Sequence, residues 1–337
     1  MYTFDDIYGN EQILKSLKSA ILNDKISHAY IIAGNEGSGK RLIANTFAKR
    51  LECENNDGYN PCCLCMSCKV FDSHNHPDII YVKAEKNKTL GVNDIRDKIL
   101  KIVDIKQYKY KYKIFIIENA DKMTIQAQNA LLKTLEEPPH YAVFILIAEN
   151  IELFLSTIIS RCVVFKIRPL SNKIVIDYLK NISDDKKNEL YAEYSQGSIG
   201  KALEIKNSEN FIQMRENTIN WFISIKNLKM IDLFELSKEF EIYKNDLRFL
   251  DIAYMLYRDI YVAKTLNDES YIIQKDKKEI IFQQSKYETL KSITKKINII
   301  LNAKIQLSQN ANFQLTIEVM LIKLKEIYND RNNRCKI

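Results

Sequence analysis

Residues 29–41 read AYIIA-GNEGSGK-R, and this stretch decides the fold. Ala29 to Ala33 is an apolar run of strand length, and Gly34 to Lys40 follows it with the spacing G-x-x-x-x-G-K. Behind the loop, Leu42, Ile43, Phe47 and Leu51 recur on one helix face. A strand is therefore expected to pass through a glycine turn into an amphipathic helix. In that setting the glycines let backbone N–H groups curl around phosphate oxygens. The helix N-terminus adds positive potential, and Lys40 reaches the outer phosphates. Gly34, Gly37, Ser38, Gly39 and Lys40 are thus the candidate cradle for ATP or ADP. A chance glycine turn would need neither the strand before it nor the helix after it.

Working outward, four more apolar runs have strand length: Ile79–Val82, Ile114–Ile117, Val143–Ala148 and Val163–Phe165. Helical patterns separate them, such as Ala127, Ala130, Leu131 and Leu135, which Pro138 and Pro139 then stop. Strands alternating with helices predict βαβ units and a parallel sheet covered on both faces. Pro169 marks a boundary, after which Asn172–Leu179 and Asp185–Tyr194 predict two short helices, and Gly197 to Gly200 turns into another. Residues 209–333 contain neither glycine nor proline and keep helical apolar spacing, which predicts a bundle. The expected fold class is an α/β parallel-sheet module over 1–167, a small helical lid over 168–207 and an all-α domain over 208–337.

The composition agrees. Glycine and proline number 8 and 5 in 337 residues, too few for a β-sandwich. The net charge of +7 is spread out rather than gathered, so it permits nucleic-acid contact without demanding it. The first residues carry acidic charge and no apolar segment, and no stretch has the length of a membrane span, so a cytoplasmic location without membrane contact is expected.

Two features needed for hydrolysis are altered. The residue after the loop lysine should offer a hydroxyl to Mg²⁺, yet it is Arg41, which has only donors. The apolar run Ile114–Ile117 should end in an Asp-Glu pair, yet it ends in Glu118-Asn119. Glu118 keeps the capacity to hold a metal-bound water, whereas an amide at position 119 is a poor base. The chain is not expected to be a catalyst by itself, and no paired metal-binding carboxylates of a polymerase site are visible.

Of seven cysteines, Cys53, Cys62, Cys65 and Cys68 form C-x8-C-x2-C-x2-C over an insertion at 52–69, with Cys63 as an extra. The loop through Asn55, Asn56, Asp57 and Gly58 is free to bring Cys53 back to the others. Four thiolates suit tetrahedral Zn²⁺, and a site with no open position is structural. A redox pair or an iron–sulfur cluster suits a loop inserted after such a helix less well. His74 and His76 are superfluous to four thiolates and are read as surface residues.

Further strings carry a family resemblance. Phe4-Asp5-Asp6-Ile7-Tyr8-Gly9-Asn10, Ser27-His28-Ala29-Tyr30, the cysteine spacing, Asn129 through Pro139 (NALLKTLEEPP) and Ser160-Arg161-Cys162 resemble clamp-loader AAA+ proteins. The resemblance covers about the first 205 residues strongly, then weakly Tyr257-Arg258-Asp259 and Asn310–Leu321. It implies a RecA-like AAA+ module, a lid and an oligomerising collar. It implies partners as well: gamma/tau and delta subunits in a pentameric ring, with the sliding clamp and primed DNA. In that family the arginine of Ser160-Arg161-Cys162 completes the ATP site of a neighbour, so Arg161 is the candidate residue acting in trans. The gamma/tau members should keep Lys-Thr or Lys-Ser, the Asp-Glu pair, sensor hydroxyls and a lid arginine. This chain has Arg41, Glu118-Asn119, Ala148-Glu149 and Gly200 at those places. Loss of the parts used on its own nucleotide, with Arg161 retained, is the delta-prime pattern. The rivals are an ATP-hydrolysing gamma/tau-type subunit and a stand-alone zinc-containing nucleic-acid-binding protein.

Overall fold

The computed structural model describes residues 3–55, 57–84 and 89–334; Asn56 of the cysteine loop and Cys335 lie outside them. Five strands, β1 (Ala29–Ala33), β2 (Ile79–Val82), β3 (Lys113–Ile117), β4 (Ala142–Ala148) and β5 (Val163–Lys166), form one sheet in the order β2-β3-β4-β1-β5. Every pairing is parallel, with Ile31 opposite Leu146 on one side of β1 and opposite Val164 on the other. The expected runs and the observed strands differ by one residue at most, because buried parallel strands read as unbroken apolar sequence.

Period-two alternation splits the sheet residues between two cores. Ala29, Ile31, Phe115, Ile117, Phe144 and Leu146 face one. Tyr30, Ile32, Ile114, Ile116, Val143 and Ile145 face the other. Helices α1 (Glu11–Leu22) and α2 (Lys40–Leu51) cover the second core, and α3 (Met66–Asp72) adds Phe71 to it. The first core is covered by α4 (Val92–Ile95), a π turn (Arg96–Leu100), α5 (Lys101–Val103), α6 (Ile125–Glu136) and α7 (Ser156–Ile159). Thr124 caps α6 by accepting the Ala127 N–H at 3.2 Å, and Pro138 and Pro139 follow its end. Leu131 and Leu135 on α6 are buried, as core packing requires.

Beyond the sheet come α8 (Asn172–Ile182), α9 (Asn188–Tyr194) and α10 (Ile199–Asn207). The chain forms two compact units that divide between Glu204 and Ile205, within α10. The second unit is helical: α11 (Phe211–Ser224), α12 (Met230–Glu239), α13 (Arg248–Leu266), α14 (Lys278–Tyr287), α15 (Leu290–Ser308) and α16 (Phe313–Arg334). Helix α13 packs against α11, α14 and α15, and buries Phe249, Leu256 and Tyr257. In the Tyr257-Arg258-Asp259 string, the buried Asp259 carboxylate accepts the backbone N–H of Ile273 at 3.2 Å and of Gln274 at 2.9 Å. Arg258 donates to Asp259 at 2.7 Å and to the Tyr271 carbonyl at 2.8 Å. That string therefore pins the segment after α13 back onto the helix. Among the described residues no helix is long and apolar enough to cross a membrane.

Just before β2, the Asp78 carboxylate is 1% exposed and accepts three successive backbone N–H groups. They belong to Tyr108 at 2.6 Å, Lys109 at 3.1 Å and Tyr110 at 3.3 Å, in the turn that leads into β3. Carboxylate acceptors make stronger bonds than neutral ones, and losing one strands its donors. Asp78→Ala is expected to lower the free energy of opening across β2 and β3 by about 2–3 kcal/mol. Native-state hydrogen exchange checks this; unchanged protection of amides 108–117 would show that the carboxylate does not hold the turn.

Candidate functional site

Strand β1 delivers the glycine loop. Gly37 and Gly39 have φ of +71° and +89°, the left-handed conformation that side chains rarely adopt, and α2 starts at Lys40. Lys40 Nζ donates to the carbonyls of Gly34 (2.5 Å) and Asn35 (2.9 Å). Burial lowers the Lys40 pKa, opposed by the charges of Glu149, Asp121 and Glu36. The Ser38 hydroxyl oxygen is shut off from solvent and has no hydrogen-bond partner.

Arg41 and Glu118, separated by 77 positions, meet across the end of the sheet. Arg41 Nε donates to Glu118 Oε1 at 2.9 Å, and Nη2 donates to Oε2, a two-pronged clamp. The Glu118 hydrogen bond is the leading cause of the raised Arg41 pKa. Glu118, expected to keep the capacity to hold a metal-bound water, here accepts a hydrogen bond from Arg41 on each of its oxygens. Asn119 has φ +51° and starts the turn to Asp121. Asp121 Oδ2 accepts the N–H of Glu149 and of Asn150, each at 3.0 Å. The ends of β3 and β4 are thereby tied to each other.

Beside the loop lies a cleft of about 610 Å³ lined by Ile7, Tyr8, Leu170, Tyr178 and Leu203, with Ser38 and Arg41 at one end. Tyr8 and Tyr178 meet edge to face with ring centroids 4.9 Å apart. The start of α10 seals against the loop: Gly200 N–H donates to Gly37 O at 3.1 Å, and Ser198 Oγ–H to Glu36 O at 3.2 Å. A Cβ at position 200 would stand 2.7 Å from the Gly37 oxygen, so the backbone contact has no room for the lid arginine expected of a hydrolysing relative.

The four cysteines converge. The Sγ atoms of Cys53, Cys62, Cys65 and Cys68 all lie within 4.8 Å of one another. Cys53 directly follows the turn that ends α2, and Cys65 caps α3 by accepting the Cys68 N–H at 3.4 Å. Cys53 accepts from Cys62 N at 3.3 Å, and Cys62 from Cys65 N at 3.4 Å. The Leu64 N–H leads in drawing the Cys62 thiol down to about 6, whereas burial raises Cys53 and Cys68. Buried thiols of this kind ionise when a cation shares their cavity. This donor set fits a tetrahedral metal ion. Cys63 stands apart with φ +58°, its sulfur accepting from Lys49 at 3.4 Å. Lys49 also pairs with Asp72 at 2.8 Å.

His76 corrects an expectation. It is 7% exposed, bonds Ser67 Oγ at 3.1 Å and packs on the Tyr110 ring, so it buttresses α3, which carries Cys68. Of the two, His74 is the exposed one. The cue available in the sequence was Pro77-Asp78, which leads straight into a strand and leaves little chain to carry His76 outward.

Arg161 follows α7 and is half-buried. Nη1 donates to the Thr157 carbonyl at 2.9 Å, and Nη2 pairs with Glu136 Oε1 at 2.7 Å. Glu136 ends α6, so the NALLKTLEEPP string and the Ser160-Arg161-Cys162 string touch through this pair. Cys162 packs against the sheet core, and burial pushes its thiol up to about 12.

A family model described as DNA polymerase III, delta subunit matches residues 9–171, and one described as its C-terminal part matches 209–326. The delta' subunit of Bacillus subtilis DNA polymerase III is 30% identical over 321 residues, covering 94% of this chain and 96% of that protein. The tau subunit of the same organism is 38% identical over 181 residues, covering 54% of this chain and 32% of that protein. A gamma-subunit-related protein of Thermotoga maritima, known as a crystal structure, aligns with a TM-score of 0.49 at 22% identity, covering 93% of this chain and 99% of that one. With both halves matched and the delta' relative aligned from end to end, the chain belongs to the DNA polymerase III delta' family of clamp-loader subunits.

Proposed function

We propose that this chain is a clamp-loader subunit that does not hydrolyse ATP and lends Arg161 to the ATP site of an adjoining subunit. Its setting is a pentameric cytoplasmic ring with gamma/tau and delta subunits, which places the sliding clamp on primed DNA. The observation that carries the reading is the Arg41–Glu118 clamp, which occupies the carboxylate a hydrolysing relative would give to metal and water. The Gly200–Gly37 contact supports it from the lid side. In this division of labour 1–167 is the nucleotide-binding-like module, 168–207 its lid and 208–337 the collar that joins other subunits.

A guanidinium delivered in trans stabilises charge that develops on a transferring phosphoryl group, worth about 10³–10⁵ in rate in related NTPases. Arg161 suits this task because its partners, Thr157 O and Glu136, hold the side chain while it stays one-third exposed. The ion in the four-cysteine cluster is taken to be structural Zn²⁺. A Zn–S distance of about 2.3 Å sets tetrahedral edges near 3.8 Å, within the observed spread of the sulfurs. The 38% identity to a tau subunit keeps an ATP-hydrolysing reading as the rival.

Two outcomes are expected. In a reconstituted loader with clamp and primed DNA, Arg161→Ala lowers ATP turnover by about tenfold or more while the isolated native chain stays silent. Turnover by the isolated chain, abolished by Lys40→Ala, would support the rival instead. For the metal, elemental analysis should find zinc in the native chain and in Cys63→Ser, and none in Cys65→Ser. Removing it with a chelator should lower the melting temperature by several degrees, because ligation energy is folding energy.

A further inference from the structure

The arc of chain between Cys53 and Cys62 brings two thiols together, and its outer side is fastened to the N-terminal segment. The Phe4 N–H donates to Asn60 Oδ1 at 3.0 Å, and Asn60 Nδ2 donates back to Asp5 Oδ2 at 2.5 Å. The Tyr59 hydroxyl donates to Asp5 Oδ1 at 3.2 Å. Lys18 of α1 donates to that same oxygen at 3.2 Å, its ammonium 4.0 Å from the centre of the Tyr59 ring. Asn60 stands two residues before Cys62, and Asp5 is 55 positions away from it. The amide oxygen accepts from one residue and the amide nitrogen donates to the next, so the pairing has a single register.

The N-terminal segment then continues to the cleft. Phe4 is buried in the core beneath α1 and α2 and opens a 3₁₀ turn (Phe4–Asp6). The Thr3 N–H and hydroxyl close that turn by donating to Asp6 Oδ2 at 2.7 and 2.8 Å. Ile7 and Tyr8 follow as part of the cleft wall, with Tyr8 edge-on to Tyr178. Asn10 Oδ1 accepts the Arg168 N–H at 3.0 Å, just beyond β5. Residues 3–10 thus form a strap, fastened at one end to the cysteine arc and at the other to the chain that leaves the sheet.

Both ends of the arc are members of the four-thiol cluster. Its middle is braced from α2 by Arg50, which donates to the Gly58 carbonyl at 3.1 and 2.7 Å. A metal ion held by Cys53 and Cys62 closes the arc, and ligation energy becomes order in the chain between its ligands. We infer that metal occupancy of the four-cysteine site is coupled, through Asn60 and Asp5, to the order of the strap and so to the cleft wall formed by Ile7 and Tyr8. The inference rests on the reading that the cluster holds a metal ion. Coupling is reciprocal, so an intact strap tightens metal binding in turn.

The test uses the full chain, zinc-loaded and after chelation, with hydrogen exchange read by mass spectrometry. Removing zinc should speed exchange of amides 4–8 by about tenfold or more, while the amides of β3 and β4 keep their protection. Zinc-loaded Asn60→Ala should show the same faster exchange at 4–8, and chelation should add less than about twofold to it. Asn60→Ala should also weaken zinc affinity by about fivefold, measured by competition with a chromogenic chelator. Should the zinc-free chain lose its sheet, the two measurements on zinc-loaded Asn60→Ala decide the matter. Unchanged exchange at 4–8 when zinc leaves a folded chain overturns the coupling and leaves the metal site standing. A folded Asn60→Ala chain with native exchange and native zinc affinity does the same. A native chain that elemental analysis finds free of metal overturns the metal reading and the coupling together.

Discussion

The rest of the first unit depends on the parallel pairing of five short strands. Parallel strands all end on the same side, so whatever follows β1, β3, β4 and β5 is delivered to one rim. There the glycine loop, Glu118, the Asp121–Glu149 turn and Leu170 come together from distant parts of the sequence. The arrangement holds because both faces are covered: one by α1 and α2, the other by the π-bulged helix and α6. Apolar alternation between the two cores fixes the register, and a one-residue slip would exchange the cores wholesale.

At that rim, the charged groups are engaged by the protein itself. Arg41 takes Glu118, Asp121 takes two backbone N–H groups, and Lys40 rests on two loop carbonyls. Each contact is modest, and exposed ion pairs on average contribute little to stability. Their effect is on availability. A carboxylate clamped by a guanidinium must give up that partner before it can serve another ligand.

Much of this was legible in the sequence because it is local. Strands such as Ile79–Val82 announce themselves as unbroken apolar runs, and the loop and cysteine spacings place their groups within a few residues. Arg41 and the Glu118-Asn119 step each stood out as departures from a hydrolysing site. That they pair was not legible, since the strand order that brings them together is a property of the sheet. The Arg161–Glu136 pair escaped for the same reason: each lay in a recognised string, and no spacing links the strings. His76 was misplaced because its burial depends on Tyr110 and Ser67 folding over it from two other segments.

The contact between Gly200 and Gly37 limits what position 200 can carry. Two backbones touch where a lid would otherwise present a side chain, and any Cβ at position 200 would collide with the loop carbonyl. An arginine placed there meets a steric barrier at its first side-chain atom. The loop must first move, and moving it disturbs the glycine turn that gives the segment its shape. Position 200 is thereby closed to any side chain unless the loop gives way.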